Sequence, residues 1–513
     1  MLAKTYSATV SGIDAYTVEV EINGTEQGEA TFVTIVGLPD AAVRESRDRV
    51  RSAMYSMGFN HPLGATVVNL APADMKKEGA AFDLPIALGM IAVTGKLERQ
   101  KLAETMIVGE LALDGSVRAV KGVLPIAVHA GKMKKISALL VPSANAAEAA
   151  IGSGKIPVYA IDNLSDAVSF LNGKSSKTPV KADIQDALSH NIHYPDFAEV
   201  KAQPLAKRAL EISATGGHNV LMIGPPGTGK SMLAKRLSGI LPPMNIQETL
   251  ETSKIHSILG LLSSGAPLLN MRPFRAPHHT ISDAGLLGGG QNPMPGEISL
   301  AHNGVLFLDE MPEFKRNVLE VLRQPLENGN ITVSRAAGSF TYPSRFILIA
   351  AMNPCPCGLS NKEIGCRCKP NEIKRYRSRI SAPLLDRIDI HVEVGQLNED
   401  ELLAAPSGET SAQIRQRVIQ SRKLQELRYK GRGIYCNSQM ESRELQEYCV
   451  LNKQNYTLLR HAIKEMNLSA RAYDRILRVS RTIADLANSP SIEEEHLFEA
   501  IQYRALDKNI WKI

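Results

Sequence analysis

"NVLMIGPPGTGKSMLAKRLSGIL", residues 219–241, passes from an apolar strand through a glycine-rich turn into an amphipathic helix. Within it Gly224–Ser231 fits the pattern G-x-x-x-x-G-K-[ST], and the strand before and the helix after supply the context that pattern requires. Glycines at these positions let backbone N–H groups curl around phosphate, and the helix N-terminus adds the positive end of its dipole. Gly224, Gly227, Thr228 and Gly229 are therefore expected to line an ATP-binding loop. Lys230 would reach the β- and γ-phosphates, and the Ser231 hydroxyl would ligate Mg²⁺. The alternative, a chance glycine-rich turn, fits this context poorly.

Two further apolar strands complete the pattern. "GVLFLDE" (304–310) ends in two carboxylates. Asp309 is expected to hold Mg²⁺ through water, and Glu310 to orient and deprotonate the attacking water. A solvated strand end has the same appearance, so the weight of this reading comes from the phosphate loop upstream. "RFILIAAMNP" (345–354) ends in Asn353, whose amide could contact γ-phosphate and the lytic water. By itself Asn-Pro is merely a turn.

The chain's 513 residues exceed one ordinary core and suggest about three units. Hydrophobic content of 44%, charge of 22% and 5% aromatics describe a globular protein and exclude a disordered or fibrous one. A net charge of +6 is modest for this length, so any case for nucleic acid rests on local clusters. The most apolar run, "LPIALGMIAV" (84–93), is too short to span a bilayer and reads as a buried helix. No basic n-region followed by an apolar h-region opens the sequence, so a cytoplasmic chain without membrane partners is expected. Residues 1–172 alternate strand-like and helix-like runs, as an α/β or α+β domain does. A polar, aperiodic linker is expected over 173–197, the phosphate-loop domain over 198–398 and a helical unit over 399–513. In the last, a helix starts at Ser469, and Ser491 with Glu494 reads as the capping box of the next.

Four of the six cysteines lie in "CPCGLSNKEIGCRC" (355–368). Disulfides are rare in a cytoplasmic chain, so a cluster points to metal before oxidation. Cys355, Cys357, Cys366 and Cys368 can supply the closed S4 shell of a structural Zn²⁺. Their C-x-C pairs are tighter than the common C-x-x-C, and a thiol switch or unligated thiols stay open. Cys436 and Cys449 read as packing residues.

With "RPFRAPHHTIS" (272–282), "PGEISLAHNGVLFLDE" (295–310), "FILIAAMNPCPCG" (346–358), "RISAPLLDRIDI" (379–390) and "SARAYDRILRVSRTIADL" (469–486), residues 200–513 resemble a known family. It is the AAA+ ATPases of the magnesium chelatase and MCM helicase branch, and within it the ComM/YifB group. The resemblance implies a homo-hexameric ring in which each nucleotide is completed by the neighbouring subunit. It nominates Arg387, in "LLDRIDI", as an arginine finger, with an ion pair to Asp386 or Asp389 as the structural alternative. Arg471 matches the sensor arginine of a helical lid; it shares an i, i+4, i+7 stripe with Arg475 and Arg478, which a solvated basic face would also show. "NGNITVSRAAGSFTY" (328–342) reads as a hairpin. In the helicase-like branch such a hairpin enters the ring's pore and touches DNA, so Arg335 would be a phosphate contact; a plain surface hairpin is the alternative. The segment 255–300 looks like an insert that also faces the pore, and the adjacent His278 and His279 are weak evidence for any role. A metal-stapled loop at 355–368 would brace the segment between Asn353 and Arg387.

The first domain resembles the proteolytic domain of Lon, an S5-like α+β fold, through "EGAAFDLPIALG" (78–89) and "GELALDGSVRAVKGVLPIA" (109–127). Lon-type peptidases use a Ser-Lys dyad. Here the serine position falls on Ile86 and the lysine position on Leu124, with Lys121 displaced, so a catalytically inactive scaffold is expected. The full reading is a multidomain α/β protein: Lon-like domain, AAA+ core, helical lid. Its implied activity is ATP-driven helicase or branch-migration work on single-stranded or branched DNA, in recombination or natural transformation, with recombination proteins as partners. A chelatase-type or protein-remodelling ATPase is the competing reading, and Phe340 with Tyr342 keeps a peptide-threading loop in play.

Overall fold

The computed structural model describes residues 1–25, 32–188, 194–262, 266–290, 293–335, 338–359, 366–403, 408–466 and 468–506. The chain is a mixed α/β protein of two compact units. One is Met1–His190 joined by Asn245–Asn270, the other Asn191–Met244 joined by Met271–Ile513.

The first unit is built on seven strands: β1 (Leu2–Ser11), β2 (Asp14–Gly24), β3 (Phe32–Val36), β4 (Ala65–Ala71), β5 (Thr105–Ile107), β6 (Ala138–Pro142) and β7 (Val158–Ile161). Their order is β3-β4-β2-β1-β5-β6-β7, antiparallel at β4-β2 and β2-β1 and parallel elsewhere. Strict alternation in β2 buries Val18, Val20 and Ile22 and leaves Glu19 and Glu21 on the other face. The apolar run at 84–93 is a helix, Asp83–Val93, buried at every residue. Gly89 lets it settle on β2, since a Cβ there would lie 2.1 Å from Ile22 Cδ1. The Asp83 carboxylate at its N-terminus is matched by a two-pronged contact from Arg49 at 2.7 and 3.1 Å. Ile86 and Leu124 are both fully buried.

Helix Ile246–Leu259 belongs to this unit, although its sequence lies between the phosphate loop and "GVLFLDE". It packs on helix Val123–Ala130 through a polar seam. Ser257 Oγ donates to Glu148 Oε2 at 3.0 Å and accepts the Leu124 N–H at 3.3 Å, and Asn145 Nδ2 donates to Glu148 Oε1 at 2.6 Å. The stretch 255–300, read as one insert, is thus divided between the units at Asn270.

The second unit holds a parallel sheet of β8 (Val220–Ile223), β9 (Phe274–Arg275), β10 (Val305–Leu308), β13 (Ile347–Met352) and β14 (Ile390–Glu393). The hairpin strands β11 (Asn330–Arg335) and β12 (Gly338–Pro343) lie between β10 and β13 in sequence. The sheet order is β9-β10-β13-β8-β14, with every pair parallel. Burial on both faces explains why "VLMI", "VLFL" and "ILIAAM" are uninterrupted apolar runs. Helices Ser411–Arg428, Ala470–Leu486 and Glu494–Gln502 contribute Ile414, Val418, Ile476, Ile483 and Leu497 to the same core.

Ser469 caps its helix as expected, accepting the Ala472 N–H at 3.2 Å. The following helix corrects the expected box of Ser491 and Glu494. Glu493 is its N-cap and its N–H donates to His496 Nδ1 at 3.1 Å, while Ser491 donates to Glu493 at 2.6 Å. Ile492 is buried and its carbonyl accepts from Asn455 at 2.9 Å, which holds the chain extended and delays the helix.

Candidate active site

Parallel register brings three strand ends together. Ile223 pairs with Met352 and Leu308 with Ala350, so Gly224, Asp309 and Asn353 leave the sheet at one edge, the carboxyl ends where α/β sheets bind ligands. Gly224 packs so closely that a Cβ would lie 2.1 Å from the Val394 carbonyl oxygen. Gly227 and Gly229 take φ of +79° and +88°, the left-handed region that glycine adopts without strain. Thr228 Oγ1 donates to the Pro225 carbonyl at 3.0 Å. Lys230 is buried and folds back over the loop, donating to the carbonyls of Gly224 and Pro225 at 2.7 Å each and to Asn353 Oδ1 at 3.3 Å. Burial lowers its pKa, against the opposing pull of Asp309 and Glu310. Ser231 Oγ donates to Asp309 Oδ2 at 2.6 Å. A hydroxyl and a carboxylate so placed fit Mg²⁺, which takes few protein oxygens and completes its octahedron with water and phosphate.

Glu310 has φ +50°, and its N–H donates to Asp309 Oδ1 at 2.9 Å. A left-handed backbone at a non-glycine residue costs about 1–2 kcal/mol, and here it turns the carboxylate out of the strand end into the open. His279 Nδ1 lies 3.8 Å from Glu310 Oε2, and its ring is tilted by 34° against that of His278 with centroids 4.1 Å apart. Nothing in two adjacent loop histidines announced that neighbour.

Arg387 is 7% exposed, and its ion partner is neither of the expected aspartates. Its Nη1 donates to the Pro383 carbonyl at 2.7 Å and its Nη2 to Glu327. Asp389 is taken by Arg475: burial would raise its pKa, but Arg475 and then His218 hold the carboxyl below the usual range. Arg475 also donates to the Arg387 carbonyl at 3.1 Å. The arginine stripe is therefore no solvated basic face. Arg471 is exposed, Arg475 is committed to Asp389, and burial depresses the Arg478 pKa. Asn219 is a residue the sequence did not flag. Its Oδ1 accepts the Leu348 N–H at 2.8 Å and its Nδ2 donates to the Arg387 carbonyl at 3.1 Å, joining β13 to the Arg387 turn.

The expected hairpin is present, with Ile331 opposite Tyr342 and Val333 opposite Phe340. Ile331, Val333 and Tyr342 are buried, and the Tyr342 hydroxyl donates to the Pro293 carbonyl at 2.6 Å. Its other face carries the hydroxyl pairs Thr332–Thr341 at 3.0 Å and Ser334–Ser339 at 2.8 Å. The Arg335 backbone closes β11 opposite Gly338; its side chain lies outside the described part. Past the cysteines, where Lys374, Arg375, Arg377 and Arg379 follow closely, Arg377 clamps the Pro354 carbonyl at 3.1 and 2.9 Å, and Arg379 binds Glu313 at 2.8 Å.

The Sγ atoms of Cys355, Cys357, Cys366 and Cys368 lie within 4.8 Å of one another. Four thiolates around zinc at 2.3 Å stand about 3.8 Å apart. The separations of Cys366 from Cys355 (3.9 Å) and from Cys357 (3.6 Å) fit that shell, while Cys355 and Cys357 stand closer, at 3.2 Å. Burial pushes the Cys355 thiol up, whereas a backbone hydrogen bond at Leu359 and then the Cys355 sulfur draw Cys357 down to about 6. Cys436 and Cys449 are buried apart from this cluster.

No described helix is long and apolar enough to cross a membrane. Residues 196–402 match the family model described as magnesium chelatase, subunit ChlI; residues 18–145 match subunit ChlI of Mg-chelatase, and residues 408–504 its C-terminal model. The chain is 44% identical over 518 residues to competence protein ComM of Haemophilus influenzae, covering 100% of this chain and 99% of that protein. It is 43% identical over 512 residues to YifB of Salmonella typhimurium, covering 99% and 98%. A more distant relative is maternal DNA replication licensing factor mcm6 of Xenopus tropicalis, 22% identical over 313 residues, covering 59% and 34%. With three family models spread along its length and relatives matched from end to end, the chain belongs to the ComM/YifB group of magnesium-chelatase-like AAA+ proteins.

Proposed function

We propose that the protein is an ATP-hydrolysing motor that assembles as a homo-hexameric ring and acts on single-stranded or branched DNA in recombination or transformation. The observation that supports it most is one sheet edge that gathers Lys230, Ser231, Asp309, Glu310 and Asn353. On this reading Lys230 and the loop amides bind the phosphates, and Ser231 with Asp309 holds Mg²⁺, which neutralises developing phosphate charge. Glu310 takes the proton of the attacking water, Asn353 orients that water, and Arg387 and Arg471 act on a neighbouring subunit's nucleotide. Zinc on the cysteine quartet is structural and braces the loop between Asn353 and Arg387. Residues 1–172 serve as an inactive Lon-like scaffold and 399–513 as the lid.

The hairpin favours DNA over a threaded peptide. Tyr342, an aromatic that a threading loop would present, is buried and hydrogen-bonded, whereas the open face is lined by hydroxyls suited to phosphate oxygens. The names of two relatives, a competence protein and a DNA replication licensing factor, point the same way. The test is steady-state ATP hydrolysis with and without single-stranded and forked DNA across a salt series. Glu310→Gln should cut turnover by about 100-fold or more. DNA should stimulate the wild type, less so as salt rises, and Arg335→Ala should remove the stimulation. Hydrolysis indifferent to DNA would instead direct the search to a protein partner.

A further inference from the structure

Arg387 raises a question that its nomination as a finger does not answer. A group meant to reach another subunit's phosphate is here 7% exposed, with Nη1 on the Pro383 carbonyl and Nη2 on Glu327. Its backbone is fixed independently, since the Arg387 carbonyl accepts from both Asn219 and Arg475 at 3.1 Å. The guanidinium, then, is the part free to change partners, and Glu327 decides where it points.

Glu327 sits in helix Arg323–Asn328, which ends at Gly329 (φ +66°) and leads directly into the hairpin strand β11. The Gly329 carbonyl accepts the Ser344 N–H at 2.9 Å just past β12, so a backbone hydrogen bond ties the hairpin's base to the helix end. The Glu327 side chain is 54% exposed. The hydrogen bond from Arg387, then the charges of Arg387 and Arg471, hold its carboxyl below the usual range. A half-exposed carboxylate is a replaceable partner: solvent screens the pair, and a phosphate offers the same fork of oxygens with more charge.

We propose that Glu327 is a positioning residue that couples the hairpin to Arg387. It parks the guanidinium while the hairpin is empty, and releases it to a phosphate when a bound strand displaces the hairpin base. This rests on the reading of the hairpin as a DNA contact and of Arg387 as a phosphate partner.

The test uses the full chain and a single-stranded oligonucleotide. Glu327→Gln keeps the shape but drops the charge. It should raise DNA-free hydrolysis on the order of tenfold, the step that one charge-assisted hydrogen bond corresponds to. It should also bring the ratio of DNA-stimulated to basal rate close to one. Glu327→Asp, which keeps the charge, should restore the wild-type ratio. The rise must vanish in Glu327→Gln/Arg387→Ala, because the effect acts through Arg387. A merely structural Glu327 would lower both rates in proportion and leave the ratio alone, which overturns the proposal; so would a rise that survives Arg387→Ala. If DNA fails to stimulate the wild type, the DNA reading fails, but the Arg387-dependent rise still decides the coupling.

Discussion

Cys357 is exposed, a backbone hydrogen bond at Leu359 and then the Cys355 sulfur draw its pKa down, and its Sγ lies within 4.8 Å of those of Cys355, Cys366 and Cys368. Four sulfurs this close fit the closed shell of one structural cation. Protein purified without chelators should therefore carry one zinc per chain by elemental analysis. Cys366→Ser with Cys368→Ser should lose it and lower the melting temperature of the ATPase unit. Metal-free protein in which Cys357 alkylates rapidly at neutral pH would sink the zinc reading. The quartet, like Lys230, Ser231, Asp309 and Asn353, was legible because strand ends and tight spacing are local properties. Glu327 and Asn219 were not. Their partners lie 60 and 168 residues away, and a lone polar residue beside an apolar run carries no mark of what it will meet.

Helix Ile246–Leu259 shows the same limit for a whole segment. Its start was readable in principle, since Asn245 and Glu248 form a capping box, but its buried face includes Thr249, Thr252, Ser253 and Ser257. Hydroxyls on the packed side erase the apolar period that would have announced packing, and nothing local says that the surface it meets is Val123–Ala130. The seam has a pH signature. Burial raises the Glu148 pKa above 4.5 despite the donors Asn145 and Ser257. The folded unit then binds that proton more tightly than the unfolded chain does. This stability is fully present below the unfolded value and is lost as pH rises through the folded one. Hydrogen exchange of the two helices should show protection falling as pH rises above the ordinary glutamate range in the wild type. Glu148→Gln, isosteric and uncharged, should flatten that trend and exceed the wild type at the alkaline end. Protection that rises with pH in the wild type, or a variant weaker at every pH, would show that the carboxylate is the stabilising form.

The chain passes between the two units three times, at residues 190–191, 244–245 and 270–271, so no single cut separates them. A sequence read from end to end favours contiguous domains, and the polar stretch after residue 172 looked like a sufficient boundary. The buried group Leu124, Ile151 and Leu268, with Ala182, Ile184, Ala187, Leu250 and Leu262 packed around it, draws from both sides of that boundary. A fragment of residues 1–188 keeps all seven strands but loses Leu250, Leu262 and Leu268 from this group, and with them the Ser257 hydroxyl on Glu148. Full burial of a leucine such as Leu268 contributes about 1.5–3 kcal/mol, and the half-buried Leu250 and Leu262 add less, a sizeable loss against the roughly 5–15 kcal/mol that keeps a domain folded. Expressed alone, 1–188 should bind hydrophobic dyes and aggregate. Co-expressed with 245–270, it should be recovered as a soluble one-to-one complex with helix Val123–Ala130 protected from exchange. A monodisperse 1–188 with that helix already protected would mean the inserted segment is a passenger. Dependence on it would mean that residues 245–270 complete the fold of the first unit.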